Sequence, residues 1–129
     1  MQHTSDIMTR MDHEHYDIWR TYQAAWEDVS SDERRLLLHE SVAPDCTYSD
    51  PAVECRGTDA IAARIERARV ETPGISFVNH EFRQHHQQCV AVWRRLTASG
   101  EVDFVGTSFG RFGSDGRLVQ ISGFPQPVQ

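Results

Sequence analysis

The sequence predicts an α+β fold in one domain, with helices segregated from an antiparallel sheet. Three observations lead there. The first half carries apolar residues at helical spacing, and the second half reads as consecutive strands. The breaks between those strands are short and carry Ser, Asp and Gly, as hairpin turns require. A length of 129 residues suits one domain, and a chain of that size removes well over half of its unfolded surface from water. No internal repeat, low-complexity tract or Ser/Gly linker marks a boundary. Residues 1–11 read as a flexible leader and 12–129 as the domain.

From about Asp12, the residues Ile18, Trp19, Tyr22, Ala25, Trp26 and Val29 trace one helical stripe. Ser30 and Glu33 then form a capping box that starts a second, short helix through Leu36, Leu37 and Leu38, ended near Val42 by Pro44. Cys46-Thr47-Tyr48-Ser49 is a short strand that stops at Asp50-Pro51. Thr58 can cap a third helix carrying Ala60, Ile61, Ile65 and Ala68, which Pro73-Gly74 ends. Ile75 to about His86 reads as a strand, and Cys89 to Leu96 as its neighbour. Ser99-Gly100 turns the chain into Val102–Phe112, and Ser114-Asp115-Gly116 turns it into a last strand, Leu118–Ile121.

Charge and composition narrow the function. Nineteen acidic against thirteen basic side chains give a net charge of −6, the wrong balance for a protein that grips a phosphate backbone. Arg64, Arg67 and Arg69 alternate with Glu66 and Glu71, which reads as a solvated helix face and not a nucleic-acid surface. No stretch nears the roughly 20 apolar residues of a membrane span, and no secretory signal is visible, so a cytoplasmic protein is expected. Three cysteines without a C-x-x-C pattern fit reduced core thiols. The seven histidines suggest a metal site. However, His13 and His15 are two apart on a helix, and His85 and His86 point to opposite faces of a strand. No metal is expected, and with no G-x-G-x-x-G or Walker loop, no nucleotide cofactor either.

Four patterns occur in order: Tyr22-x-x-Ala25-Trp26; Tyr48-Ser49-Asp50-Pro51 ahead of Gly57-Thr58-Asp59-Ala60-Ile61; a strand containing Trp93; and Gly106-Thr107-Ser108-Phe109 leading to Asp115-Gly116-Arg117-Leu118 and Gly123-Phe124. Together they resemble the nuclear transport factor 2-like superfamily, particularly its SnoaL-like branch and more distantly the ketosteroid isomerases. The resemblance spans about 13–124. It implies a cone, in which a strongly curved antiparallel sheet wraps the N-terminal helices and encloses a pocket, with copies pairing as homodimers through the outer sheet face. That scaffold serves isomerases, dehydratases, epoxide hydrolases, polyketide cyclases and proteins that only bind partners, so function has to be argued from the site.

Asp50 and Tyr22 are the candidate catalytic residues. Asp50 ends a short apolar strand, where partial burial would raise its pKa and make it a base for a weakly acidic C–H. It matches the isomerases' proton-shuttling Asp, although an Asp-Pro pair also forms turns whose carboxylate bonds its own backbone. Tyr22 matches their oxyanion-donating tyrosine, and it equally suits an amphipathic helix as a core aromatic. Ser108 departs from the pattern. The isomerases place a protonated Asp there, so the full dyad is absent and steroid isomerisation is not expected.

If Ser108 faces inward, alternation brings Phe104, Gly106, Gly110 and Phe112 with it. Trp26 and Trp93 are further candidate walls. On the strand from Ile75, one face carries Phe77, Asn79, Glu81, Arg83 and His85, and the other Val78, His80, Phe82 and His86. His80 and Phe82 are taken as facing the cavity or the helix layer. The expected substrate-binding set is thus Trp26, Trp93, Phe104, Ser108, Phe112, His80 and Phe82. The expected ligand is a small apolar organic molecule bearing a carbonyl or hydroxyl. The expected function is a cofactor-independent isomerase, dehydratase or cyclase, or else a non-catalytic binding module.

Overall fold

The computed structural model describes residues 14–128; the expected leader and His13 lie outside them. The first helix, α1, runs over 14–24 among the described residues. It stops short of Val29, where the apolar stripe ends. The amides of Ala25, Trp26 and Glu27 bond carbonyls only three residues back, at 3.0, 3.0 and 3.1 Å. The buried guanidinium of Arg34 draws the carbonyls of Ala25, Glu27 and Val29 to itself at 2.8, 3.0 and 3.2 Å. A side chain has taken the acceptors that another helical turn would need.

Helix α2, Ser31–Ser41, begins with Ser30 as its N-cap, one half of the expected capping box. Ser30 is extended at φ −67°, ψ 160°, and its Oγ accepts from the Glu33 amide at 3.1 Å. Strand β1, Val42–Asp50, is longer than the expected Cys46–Ser49 run, and absorbs Pro44 where its register shifts between Val42 and Thr47. It turns at Pro51-Ala52 into β2, Val53–Arg56. Helix α3, Thr58–Glu71, is capped by Gly57 at φ 94° with no side-chain cap bond, and not by Thr58 as expected. Only glycine holds that left-handed backbone without strain.

Strands β3 (Ser76–His85), β4 (Gln88–Leu96), β5 (Val102–Phe112) and β6 (Leu118–Pro127) follow as hairpins. The sheet order is β2-β1-β6-β5-β4-β3, one curved, open six-stranded sheet. Every neighbouring pair is antiparallel except β1 and β6. Those two come from opposite ends of the chain, no hairpin links them, and they run parallel.

The core lies between the concave face and the helices. Trp19 and Tyr22 from α1, Leu38 from α2, and Ile61 and Ile65 from α3 pack on Cys89, Ala91, Phe112, Leu118 and Ile121 of the strands. Its two buried thiols, Cys46 and Cys89, are each pushed up to about 12 by burial, which suits inert filler. No helix among the described residues is long and apolar enough to cross a membrane.

Candidate ligand pocket

The helix layer does not fill the sheet's concave face to its end. Beyond the core a cavity of about 180 Å³ remains. Its floor is Trp19, Tyr22, Gln23 and Trp26 from α1 and the turn after it. One side is Tyr48 and Asp50 of β1 with Arg64 and Ala68 of α3. The other is Phe77, Trp93, Arg95, Phe104, Ser108, Gly123 and Pro125 of the sheet.

Aromatic rings line it edge to face. Trp26 meets Phe77 at 5.6 Å between centroids, and Phe77 meets Trp93 at 5.5 Å, the geometry that opposed ring quadrupoles favour. The indole of Trp93 lies over Gly106, where a Cβ would stand 2.2 Å from Trp93 Cζ2. Glycine at 106 is what lets the ring lie flat on the sheet.

Two indoles hold two hydroxyls in the same way. Trp26 Nε1 donates to the Tyr22 hydroxyl at 2.9 Å, and Trp93 Nε1 donates to Ser108 Oγ at 3.0 Å. Each oxygen is thereby occupied as an acceptor, and neither hydroxyl proton has an acceptor among the described residues. Burial pushes the Tyr22 phenol well above its ordinary value, so it stays protonated. Both hydroxyls are left as donors.

Asp50 is held differently. Its Oδ1 accepts from the amides of Ala52 and Val53 at 2.8 and 3.2 Å. Its Oδ2 accepts from the Tyr48 hydroxyl at 2.6 Å and from Arg64 Nε at 2.9 Å. Four donors fill the acceptor sites of one carboxylate. Its side chain is only 7% exposed. Burial pushes the carboxyl up, but the bonds from Tyr48, Arg64 and Ala52 outweigh that and hold it below the usual carboxylate range. Sequence reasoning from burial alone expects the opposite direction, because it has no means of seeing Arg64. The turn-former and pocket readings of Asp50 both describe the structure: it bonds its own turn and also lines the cavity.

Of the expected residues, the structure brings Asp50, Tyr22, Trp26, Trp93, Phe104 and Ser108 together around one cavity. It places three elsewhere. Phe112 is buried in the core, stacked on His15 at 4.1 Å, below the cavity floor. Phe82 packs in the helix layer against Tyr16 at 5.0 Å. His80 is exposed. The cause is a bulge in β3, whose register on β4 shifts between Asn79 and Glu81. Phe77 faces the cavity before the bulge and Phe82 the core after it, so neither alternating face was inward throughout.

Arg64 and Arg95 are wall residues that the sequence reading did not expect there; it took Arg64 as part of a solvated helix face. The signals were present. Arg64 lies three positions after Ile61 and four before Ala68, on the edge of the apolar stripe, and Arg95 shares a strand face with Trp93. Arg95 binds Asp103 through Nε and Nη2 at 3.0 and 2.7 Å and stacks on Phe104 at 4.4 Å. The buried atoms Trp19 Nε1 and Gln23 Oε1 have no hydrogen-bond partner among the described residues. Among the described residues, no group of three or more His, Cys, Asp or Glu side chains could hold a metal ion.

Comparison with known proteins places this architecture. The family model described as the SnoaL-like domain matches residues 19–121. A proposed isomerase of the SnoaL-like family from Agrobacterium tumefaciens is 31% identical in sequence. The match covers 88% of this chain and 98% of that one, with a TM-score of 0.83. Two further structures share the fold at lower identity. One is a proposed polyketide cyclase from Sinorhizobium meliloti, 18% identical, covering 83% and 93% of the two chains at a TM-score of 0.68. The other is a proposed ketosteroid isomerase from Kribbella flavida, 15% identical, covering 91% and 81% at 0.69. No curated protein matches the sequence.

Proposed function

The chain belongs to the SnoaL-like family, and from that premise we infer that it is a cofactor-independent acid–base enzyme of the isomerase, dehydratase or cyclase type. Its substrate is a compact apolar molecule bearing a carbonyl or hydroxyl oxygen. The observation that carries this reading is the pair of hydroxyls on Tyr22 and Ser108, each fixed as a donor by an indole N–H. Two such donors in an apolar cavity stabilise negative charge developing on a substrate oxygen, and preorganised donors in a site of low polarity are worth more than the same groups in water. A cavity of about 180 Å³ favours a single-ring compound, since an enclosed space on the order of 150 Å³ holds benzene.

Asp50 is the one carboxylate among the described residues of the cavity wall; in this mechanism the substrate carbon displaces the Tyr48 hydroxyl from Oδ2, and that oxygen accepts the proton. Gly123 separates it from Ser108: a Cβ built on Gly123 would stand 3.8 Å from both Asp50 Cβ and Ser108 Oγ. Base and oxygen donor thus flank one gap. With its proton affinity held down, the carboxylate deprotonates only a carbon already acidified by the polarised neighbouring oxygen. The step moves one proton from that carbon to Asp50, leaves an enolate bonded to Tyr22 and Ser108, and returns the proton to another carbon or to the same one.

The four donors on Asp50 favour a second reading, in which the pocket binds such molecules without transforming them. Acetophenone in deuterated buffer separates the two. The enzyme reading expects the protein to accelerate loss of the methyl proton NMR signal. Asp50→Asn should abolish that exchange with affinity largely kept, and Tyr22→Phe should slow it ten- to a hundredfold. Binding without exchange above the buffer rate establishes the second reading instead.

A further inference from the structure

Resting on the reading of this cavity as a ligand pocket, we propose that its ligand carries a carboxylate as well as the apolar ring, seated on the outer edge of the Arg64 guanidinium, with Arg95 a second guanidinium in the same lining. The argument is an inventory of hydrogen-bonding groups in the wall. Asp50 has no acceptor site left, because four donors occupy it. Gln23 Oε1 is a single buried acceptor with no partner among the described residues. Donors are in surplus. Among the described residues the Tyr22 and Ser108 protons have no acceptor, and Trp19 Nε1 is buried without a partner.

The guanidinium groups enlarge that surplus. Arg64 meets Asp50 through Nε and also interacts with the Tyr48 hydroxyl, and neither terminal nitrogen has a carboxylate or carbonyl acceptor among the described residues. Arg95 commits Nε and Nη2 to Asp103 and leaves Nη1 without one. Both side chains are mostly buried, 18% and 19% exposed. Guanidinium N–H groups held against aromatic walls and away from water lose stability unless an acceptor meets them. The planar edge offered by the two terminal nitrogens of Arg64 matches the two oxygens of a carboxylate. Each guanidinium already has one carboxylate, Arg64 with Asp50 and Arg95 with Asp103, so the two pairs balance in charge and what they leave over is N–H donors. Asp50 would repel a second carboxylate, but its charge is already met by Arg64 and Tyr48.

The test uses isosteres of equal size: benzoate, benzamide and acetophenone, titrated into the full-length protein by calorimetry at low salt. The expected result is benzoate binding at least tenfold tighter than benzamide, with a preference that shrinks as salt is added. Arg64→Lys keeps the charge but loses the fork, and should cut benzoate affinity several-fold more than acetophenone affinity. Arg95→Gln, which leaves the Asp50 cluster intact, should cut it by a smaller factor, so the test does not depend on one variant folding. Equal affinity for benzoate and benzamide means that solvent alone meets these nitrogens and overturns the carboxylate site, with the ketone pocket still standing. A benzoate preference that survives in both variants overturns it as well. Binding of none of the three probes refutes the pocket reading itself, and this inference with it.

Discussion

Two sets of polar groups line the cavity, and they are built on opposite principles. On one side, the hydroxyls of Tyr22 and Ser108 each accept one indole N–H and keep a proton to give. On the other, the Asp50 carboxylate accepts from Tyr48, Arg64, Ala52 and Val53 and has nothing left to offer. The half-satisfied pairs lose little in stability, because a neutral hydroxyl at a cavity edge is met by ligand or water. The saturated cluster tolerates no missing partner, because a largely buried charge without one is costly. One side is built for a ligand, and the other holds β1, its turn and α3 in place around it.

Removing charge from the saturated side gives the largest expected effect. Asp50→Asn leaves Arg64 without its counter-charge and should cost about 3 kcal/mol in urea unfolding, the scale of a broken buried pair. The pH dependence carries the same signature. The folded carboxyl sits below its ordinary 3.8, so as pH falls the unfolded chain takes up the proton first. Stabilisation from the cluster is therefore complete above that ordinary value, declines through the interval beneath it and is gone below the folded pKa. The variant should lack this limb of the acid unfolding curve. A loss under 1 kcal/mol with an unchanged acid limb would mean that the cluster is solvated, and the contrast between the two sides would collapse.

An intermediate effect belongs to the hydroxyl side. Gly106→Ala places a methyl 2.2 Å from Trp93 Cζ2, so the indole must lift off the sheet and release Ser108. Overpacking of this kind costs about 2 kcal/mol, measurable as a lower urea midpoint at unchanged slope. A change in Trp93 fluorescence should accompany it. A neutral substitution would show that the indole moves freely, and Ser108 would no longer count as a fixed donor.

How much of this was legible in the sequence differs between the two sides for a physical reason. The helix stripe, the Ser30 N-cap and the hairpin turns are local patterns, and the structure follows them closely. Tyr22 and Ser108 reach the cavity because helical and strand periodicity carry them there, and Trp26 reaches it from the turn after α1. The Asp50 cluster depends on Arg64, fourteen residues on and in a different element, and periodicity does not report such a contact. Arg64 was read as solvated from its acidic neighbours, although its spacing from Ile61 and Ala68 puts it beside the apolar face. The failure at His80 has another origin. A single bulge after Asn79 reverses which side of β3 faces in, and no residue in Asn79-His80-Glu81 marks the bulge as a glycine would. The early end of α1 is likewise set by Arg34, a distant side chain that takes the helix carbonyls.

The smallest effect on stability sharpens the comparison most, because it separates holding the fold from holding the ligand. Gly123 lies on β6 between the two sides, and a Cβ there meets Asp50 Cβ and Ser108 Oγ at 3.8 Å and the Ser49 carbonyl at 3.9 Å. Those are ordinary contacts, so alanine fits without moving either side. The glycine is absent from the left-handed positions of the chain, so its backbone does not require glycine. Gly123→Ala should leave unfolding free energy unchanged or raise it by about 0.5 kcal/mol, through a less flexible unfolded chain. The added methyl nevertheless occupies the gap that base and oxygen donor share. Acetophenone affinity should fall several-fold, and any proton exchange should fall further, because a displaced carbon loses its alignment with Asp50 before it loses its contacts with the rings. Unchanged binding and exchange in a stable Gly123→Ala protein would place the ligand outside this gap, and would leave the hydroxyl pair and the carboxylate as two structural solutions to the same curved sheet.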